Sequence, residues 1–270
     1  MRKLTDTNYF LPEVLALNGD RILGSGTTQP MLIRGVCKTT HEKADYVVKF
    51  KSSPRMSTMS SCSELVASFI ALELDLNVVE PAIIEIIPEF VDTLKGKDGY
   101  KNASNSLGIN FGCKYVAGFM EFVSGQQLND QQYEQAEEIF TFDLFISNVD
   151  RRVDKPNLLT DGEKVLLFDH ELAFGFVWDI IKNPTPWLIS ENDLGWIKNH
   201  DFYSILKGSE HNFNEFIDKF EMLNAFFWDK LRNTIPTEWM DDHFDKIKNN
   251  LISLILHKEE FKEQLNKILS

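Results

Sequence analysis

Little in this chain of 270 residues is built for cross-linking or for holding a soft metal. There are three cysteines, Cys37, Cys62 and Cys113, odd in number, widely spaced and without a CxxC pair. That pattern argues against a disulfide framework or a cysteine zinc site and predicts reduced thiols in a cytoplasmic protein. The six histidines show no spacing such as HExxH, so a structural zinc is not expected. Positive charge is scarce: 28 basic against 41 acidic residues give a formal charge of −13. Such a field repels a phosphate backbone and argues against general nucleic-acid binding, while leaving room for a nucleotide held by a few local cations. Long hydrophobic runs are missing too. The most apolar early stretch, "VVEPAIIEIIPEF", is broken by Glu80, Pro81, Glu85 and Pro88, so no membrane span is expected. The start, "MRKLTDTNYF", lacks the apolar stretch of a signal peptide.

What is present is apolar bulk. Hydrophobic residues make up 43 % of the chain, with 21 phenylalanines, enough for a sizeable core in one large domain or two lobes sharing a cleft. The first third reads as short β-runs, "RILGSG", "PMLIRGVCK" and "DYVVKFK", with "GSGTTQP" (24–30) as a hairpin tip. A helix follows in "SSCSELVASFIALEL", where Leu65, Val66, Phe69, Ile70 and Leu72 recur at helical spacing. Its serines offer a cap, and Glu64 is expected near the first turn. "NVVEPAIIEII" reads as one or two strands, and the polar stretch 93–108 as an exposed loop. From residue 130 onward the periodicity is helical. One long amphipathic pattern runs from about 211 through Phe213, Phe216, Phe220, Phe227 and Leu231, and one or two more helices run to the end. The expected class is α+β, with a β-rich N-terminal lobe containing one helix (1–122) and a mostly helical C-terminal lobe (123–270), acting as one unit.

Between an apolar helix and an apolar strand lies "SNVDRRVDKPNLL" (147–159), and "KVLLFDHELAF" follows. A connecting loop normally carries such charges without purpose. Here, however, a hairpin is predicted with a carboxylate at each mouth, Asp150 before it and Asp169 after it, and with Asn157 abutting its first strand. Hard oxygen ligands of this kind suit Mg²⁺ together with phosphate oxygens. Phosphoryl transfer uses that set, with one Asp orienting the attacking hydroxyl and an Asn and a second Asp holding metal.

These segments resemble the catalytic loop and metal-binding aspartate of the protein-kinase-like superfold, and in particular the HipA-like kinases of bacteria. The likeness extends through "YVVKFK", "SELVASFIALELDLNVVEPAIIEI" and "FGCKYV", and reaches "IPTEWM". The resemblance implies a two-lobed, ATP- and Mg²⁺-dependent kinase acting on a Ser/Thr of a protein, with an antitoxin-like partner as a further possibility. It also implies a strand lysine on the phosphates, held by a helix carboxylate. Lys49, with Lys51 as the competing candidate on the same face, and Glu64 fit these roles. Gly24 and Gly26 would let backbone N–H groups approach a phosphate. "MEFVSG" (120–125) is similar to a kinase hinge, where the backbone of Glu121 to Val123 would meet adenine.

The chain departs from the family's pattern in one place. Kinase-like loops put the metal asparagine five residues after the catalytic aspartate, and here that place holds Lys155; Asn157 comes seven after Asp150. Either the loop is longer and Asn157 is the ligand, or the site has lost its amide and the protein is a nucleotide-binding pseudokinase or scaffold. Lys155, Arg151 and Arg152 are candidate cations for charge developing in transfer, with one arginine expected to pair with a carboxylate such as Asp154. A small-molecule kinase of aminoglycoside or choline type is a further alternative. His170 follows the metal aspartate where protein kinases have Phe, and Trp178, Trp187 and Trp196 are expected in the core.

Overall fold

The computed structural model describes residues 2–24, 28–179 and 183–270. Five strands, β1 (Glu13–Ile22), β2 (Met31–Cys37), β3 (Lys43–Lys49), β4 (Pro81–Ile86) and β5 (Gly108–Lys114), close into a barrel in the order β1-β2-β3-β5-β4. All pairs are antiparallel except β1 with β4. Alternate residues point inward: Val14, Ala16, Ile33, Tyr46, Val48 and Ile84 fill the barrel with Phe90. At Gly112 a Cβ would come within 2.7 Å of the Val47 carbonyl, so only glycine lets β5 lie this close to β3. Because Tyr46 and Val48 face the barrel interior, Lys49 leaves on the opposite side.

Helix α1 (Thr58–Glu73) begins at Ser57, whose Oγ accepts from the Ser60 N–H at 3.0 Å. It is buried all round from Ser60 to Glu73 because it is sandwiched. Its Leu65, Val66, Phe69 and Ile70 share one core with Phe140, Phe142 and Phe145 of the C-terminal part. Helix α1 thus packs directly against the helical part of the chain. Two short helices, α2 (Pro88–Thr93) and α3 (Tyr100–Ser104), precede β5. After it, β6 (Met120–Glu121) opens a second sheet in the order β6-β7-β8, with β7 (Leu158–Thr160) and β8 (Val165–Leu167) forming the hairpin that follows the charged loop. Helix α4 (Asp130–Phe145) starts with a capping box between Asn129 and Gln132. The rest is helical: α5 (Leu194–Lys198), α6 (Tyr203–Leu206), α7 (Asn214–Asp218), α8 (Ala225–Thr234), α9 (Asp242–Ile255) and α10 (Lys258–Leu269). Among the described residues no helix is long and apolar enough to cross a membrane.

The expected α+β class, β-rich first and helical after, is what the chain forms, and several local expectations change. Residues 93–108 are not simply loop, since α3 lies within them and Ala103 is fully buried. Glu64 sits one turn deeper in α1 than expected, because the cap is Ser57 and half of the serine-rich stretch 52–63 is helix. The long pattern from 211 breaks at 219–224 into a 3-10 turn and a second helix, where Asn224 caps α8. Trp178 is 65 % exposed rather than core. Trp187 stacks on His257 at 3.5 Å between ring centres, half-buried.

Candidate active site

Three elements meet beneath the barrel: the end of β3, the second turn of α1, and the mouth of the β7–β8 hairpin. The hairpin mouth is held in an unusual backbone. Asn157, entering β7, has φ 53° and Asp169, leaving β8, has φ 62°. These left-handed conformations are tolerated best by Asn, Asp and Gly and cluster at functional sites. They turn both side chains toward the same space, and the Phe168 N–H donates to the Asn157 carbonyl at 3.3 Å across the hairpin base.

Lys49, 8 % exposed, reaches that space from the barrel. Its Nζ donates to Glu64 Oε1 and to Asp169 Oδ1 at 2.5 Å, and lies 3.5 Å from Glu171 Oε2. Glu64 Oε2 in turn accepts the His170 N–H at 2.8 Å, so one buried carboxylate ties the strand lysine to the turn after β8. The ammonium of Lys51, the competing candidate, lies instead beside Gly108, 3.5 Å from where a Cβ there would sit, leaving Lys49 as the strand lysine of the cluster. Burial opposes the charge on Lys49, but Glu64, Asp169 and Glu171 outweigh it and hold the ammonium well above its ordinary pKa. Glu64 is pushed up to about 7 by burial, partly offset by Lys49. Asp169 goes the other way: despite burial, Lys49 and Lys155 keep it firmly ionised. Glu171 is raised by burial.

On the other side of Asp169, the Lys155 ammonium bridges Asp150 Oδ2 at 2.8 Å and Asp169 Oδ2 at 3.0 Å. Asn157 Nδ2 approaches Asp150 Oδ2 at 3.4 Å. Of the expected residues, Asp150, Asn157, Asp169, Lys49 and Glu64 are therefore gathered in one cluster. The oxygens of Glu64, Asp169 and Glu171 lie within 4.8 Å of one another. Hard, oxygen-only donors of this kind fit a divalent cation of the Mg²⁺ type.

Residues 120–123 lie beside the hairpin. Glu121 stands opposite Leu159, the Phe122 N–H donates to the Leu158 carbonyl at 2.9 Å, and the Val123 side chain is 65 % exposed. Gly24 has φ 63° in the β1–β2 connection, in keeping with its turn position, and Gly26 lies outside the described residues.

A buried ionic layer supports the loop from behind. Arg151, fully buried, donates through Nε and one terminal nitrogen to Asp143, and through the other to the carbonyls of Asn157 at 2.7 Å and Pro156 at 3.2 Å. The terminal nitrogen that donates to Asp143 also lies 3.2 Å from His170 Nε2. Asn148 and His200 complete the Asp143 partners at 2.7 and 3.0 Å. Although burial alone would raise it, Asp143 is held down to about 2 by the Arg151 guanidinium and by His200. His170 is driven down to about 3 by burial and by Arg151, and so stays neutral. Of the arginines, Arg152 is the one facing Asp154, at 3.5 Å.

Sequence reasoning missed Glu171, Asp143 and His200. Asp143 carried a signal, since a charge in the apolar run "IFTFDLF" demands a buried partner. Glu171 was readable only as a second acid two residues from Asp169. His200 had no signal, because its role depends on a contact 57 residues away.

Comparison with known proteins adds the lineage. No curated protein matches the chain. A match among solved structures is a MAP kinase, LmaMPK10, from Leishmania major, with 14 % identity and a TM-score of 0.30 over 92 % of this chain and 81 % of that one. The sequence model described as HipA-like kinase matches residues 20–269, from the first barrel strand to the last helix and through every residue of the cluster above. The chain belongs to the HipA-like kinase family.

Proposed function

We propose that the protein transfers the γ-phosphoryl group of ATP to a hydroxyl, with a protein Ser/Thr as the acceptor class that the family suggests. The observation that carries the reading is the Lys49 ammonium shared between Glu64 and Asp169, with Asp150 linked to the same Asp169 through one side chain. In this reading Lys49 neutralises phosphate oxygens and Glu64 holds it in place. Asp150 accepts the proton of the acceptor hydroxyl as its oxygen bonds to the γ-phosphorus. The bond to the bridging oxygen of ADP breaks in the same displacement. Asp169 and Asn157 would hold Mg²⁺, with Glu171 within reach, and the ion would supply positive charge against that developing on the phosphates. Gly24 in its turn and the Glu121–Val123 backbone would border the nucleotide.

The test is ATP consumption and autophosphorylation with Mg²⁺ for the wild type, Asp150→Ala and Asp169→Ala. Loss of at least about 100-fold in both variants is expected, the scale of a missing general base or metal ligand. Equal activity in all three would remove the site. One observation favours a second reading, nucleotide binding without turnover: Lys155 engages both Asp150, the proposed base, and Asp169, the proposed metal ligand. A thermal shift with ATP and Mg²⁺, combined with no phosphate transferred by the wild type, would select it.

A further inference from the structure

We propose that Lys155 is a tethered cation that competes with a divalent ion for Asp169, and so sets how tightly this site takes its metal. The inference rests on the metal-assisted reading above and deepens it. In the structure, both oxygens of Asp169 are engaged by ammonium groups, Oδ1 by Lys49 at 2.5 Å and Oδ2 by Lys155 at 3.0 Å. A divalent ion needs one of those oxygens as a ligand, so one lysine has to leave.

The two lysines are not equally free to go. Lys49 stands on a barrel strand with its side chain 10 % exposed and has Glu64 and Glu171 as further partners. Removing it would leave three buried carboxylates facing one another. Lys155 has its side chain 34 % exposed, and among the described residues its ammonium bonds only to Asp150 and Asp169. Its backbone, in contrast, is fixed. The Lys155 N–H donates to the Arg152 carbonyl at 2.9 Å and the Lys155 carbonyl accepts from the Arg152 N–H at 3.1 Å. The side chain can therefore swing out about a fixed Cα while the loop that carries Asp150 and Asn157 keeps its place.

The arrangement has two states with one switchable element. Without a divalent ion, the ammonium holds the two carboxylates together, which would otherwise repel across the site. With one, Lys155 gives up Asp169 and points toward solvent or the phosphates. A unit charge removed from within about 4 Å of a divalent ion at a half-exposed site is worth about tenfold or more in affinity.

Binding of Mn²⁺ alone to the full chain, followed by the paramagnetic resonance of the free ion, tests this for the wild type, Lys155→Met, Lys155→Gln, Lys155→Arg and Asp169→Asn. Both neutral variants are expected to bind about tenfold tighter than wild type and Lys155→Arg within a few-fold of it, while Asp169→Asn loses the site. Neutral variants that bind no tighter than wild type overturn the proposal. If Asp169→Asn still abolishes binding in that case, the metal reading survives it. If no variant binds and Asp169→Asn changes nothing, both fail. A readout independent of folding in the variants uses the wild type, because Mn²⁺ should increase acetylation of Lys155 by an amine reagent, read by mass spectrometry, and leave Lys49 unlabelled. Unchanged labelling of Lys155 at saturating Mn²⁺ equally overturns the proposal.

Discussion

Replacing Arg151 by methionine tests whether the loop that carries Asp150 and Asn157 is held by the ionic layer behind it. Arg151 is fully buried and delivers its donors to Asp143, Pro156, Asn157 and His170. Methionine fills much of the same volume and supplies none of those bonds. Asp143, also fully buried, would keep only Asn148 and His200. Breaking a buried pair from one side costs about 3–5 kcal/mol, because it strands the other charge. Removing both charges avoids that penalty, so Arg151→Met/Asp143→Asn should be more stable than Arg151→Met alone, by about 1–3 kcal/mol. The pH dependence has a defined sign. In the wild type the Asp143 carboxyl is held down to about 2, below its unfolded value, so its contribution is present above about pH 4 and lost as pH falls toward 2. Without Arg151 burial dominates and the carboxyl rises above its unfolded value. The single variant then takes up a proton on folding, and its deficit should shrink between pH 8 and 5, while that of the double variant stays flat. Urea unfolding at several pH values measures all three proteins. A single variant within 1 kcal/mol of wild type, or a double variant less stable than the single, would refute the reasoning.

Two further outcomes follow from particular residues. At Asn157, with φ 53°, glycine keeps the backbone and alanine strains it, so Asn157→Gly should be more stable than Asn157→Ala by about 1 kcal/mol in thermal unfolding. Both should lose phosphoryl transfer alike if the amide is a metal ligand; activity retained by Asn157→Gly would exclude that role. Among the cysteines, Cys62 and Cys113 are pushed up to about 12 by burial, whereas hydrogen bonds in the Thr39–Thr40 turn outweigh burial and lower Cys37. Cys37 and Cys62 are both buried, so thiolate tendency decides between them: iodoacetamide at pH 8 should modify Cys37 before Cys62 by peptide mass spectrometry, and the reverse order would contradict this assignment.

The legible part of this protein was what short-range pattern controls. The barrel strands showed in β-branched runs, α1 and α4 in their periodicity, and the hairpin mouth in Asp150, Asn157 and Asp169, because a loop with three oxygen donors between buried segments has few explanations. Strand alternation put Lys49 on the face opposite Val48 but left Lys51 on that same face, and the choice of Lys49 rested on its place directly after "VV" in the family resemblance. What could not be read depends on distance in sequence. Glu64 meets His170 across 106 residues, and nothing near either of them announces the bond. The depth of Glu64 in α1 turned on which serine capped the helix, a competition among several equivalent residues that tertiary packing decided. The break at 219–224 was hidden because the apolar spacing continues through it, while the Asn224 cap restarts the helix. Trp178 looked like core by size alone, and its exposure follows from its place at the end of a one-turn 3-10 segment.

The account's central claim is that Asp150, Asn157, Asp169 and Lys49 converge on one nucleotide. Crystals grown with a non-hydrolysable ATP analogue and Mn²⁺ test it most directly through the anomalous signal of the metal. The account predicts a peak bonded to Asp169 and Asn157, phosphates on the Lys49 ammonium, and Asp150 facing the γ-phosphate. A nucleotide bound away from the hairpin mouth, or a metal peak with no oxygen from either residue, would contradict it.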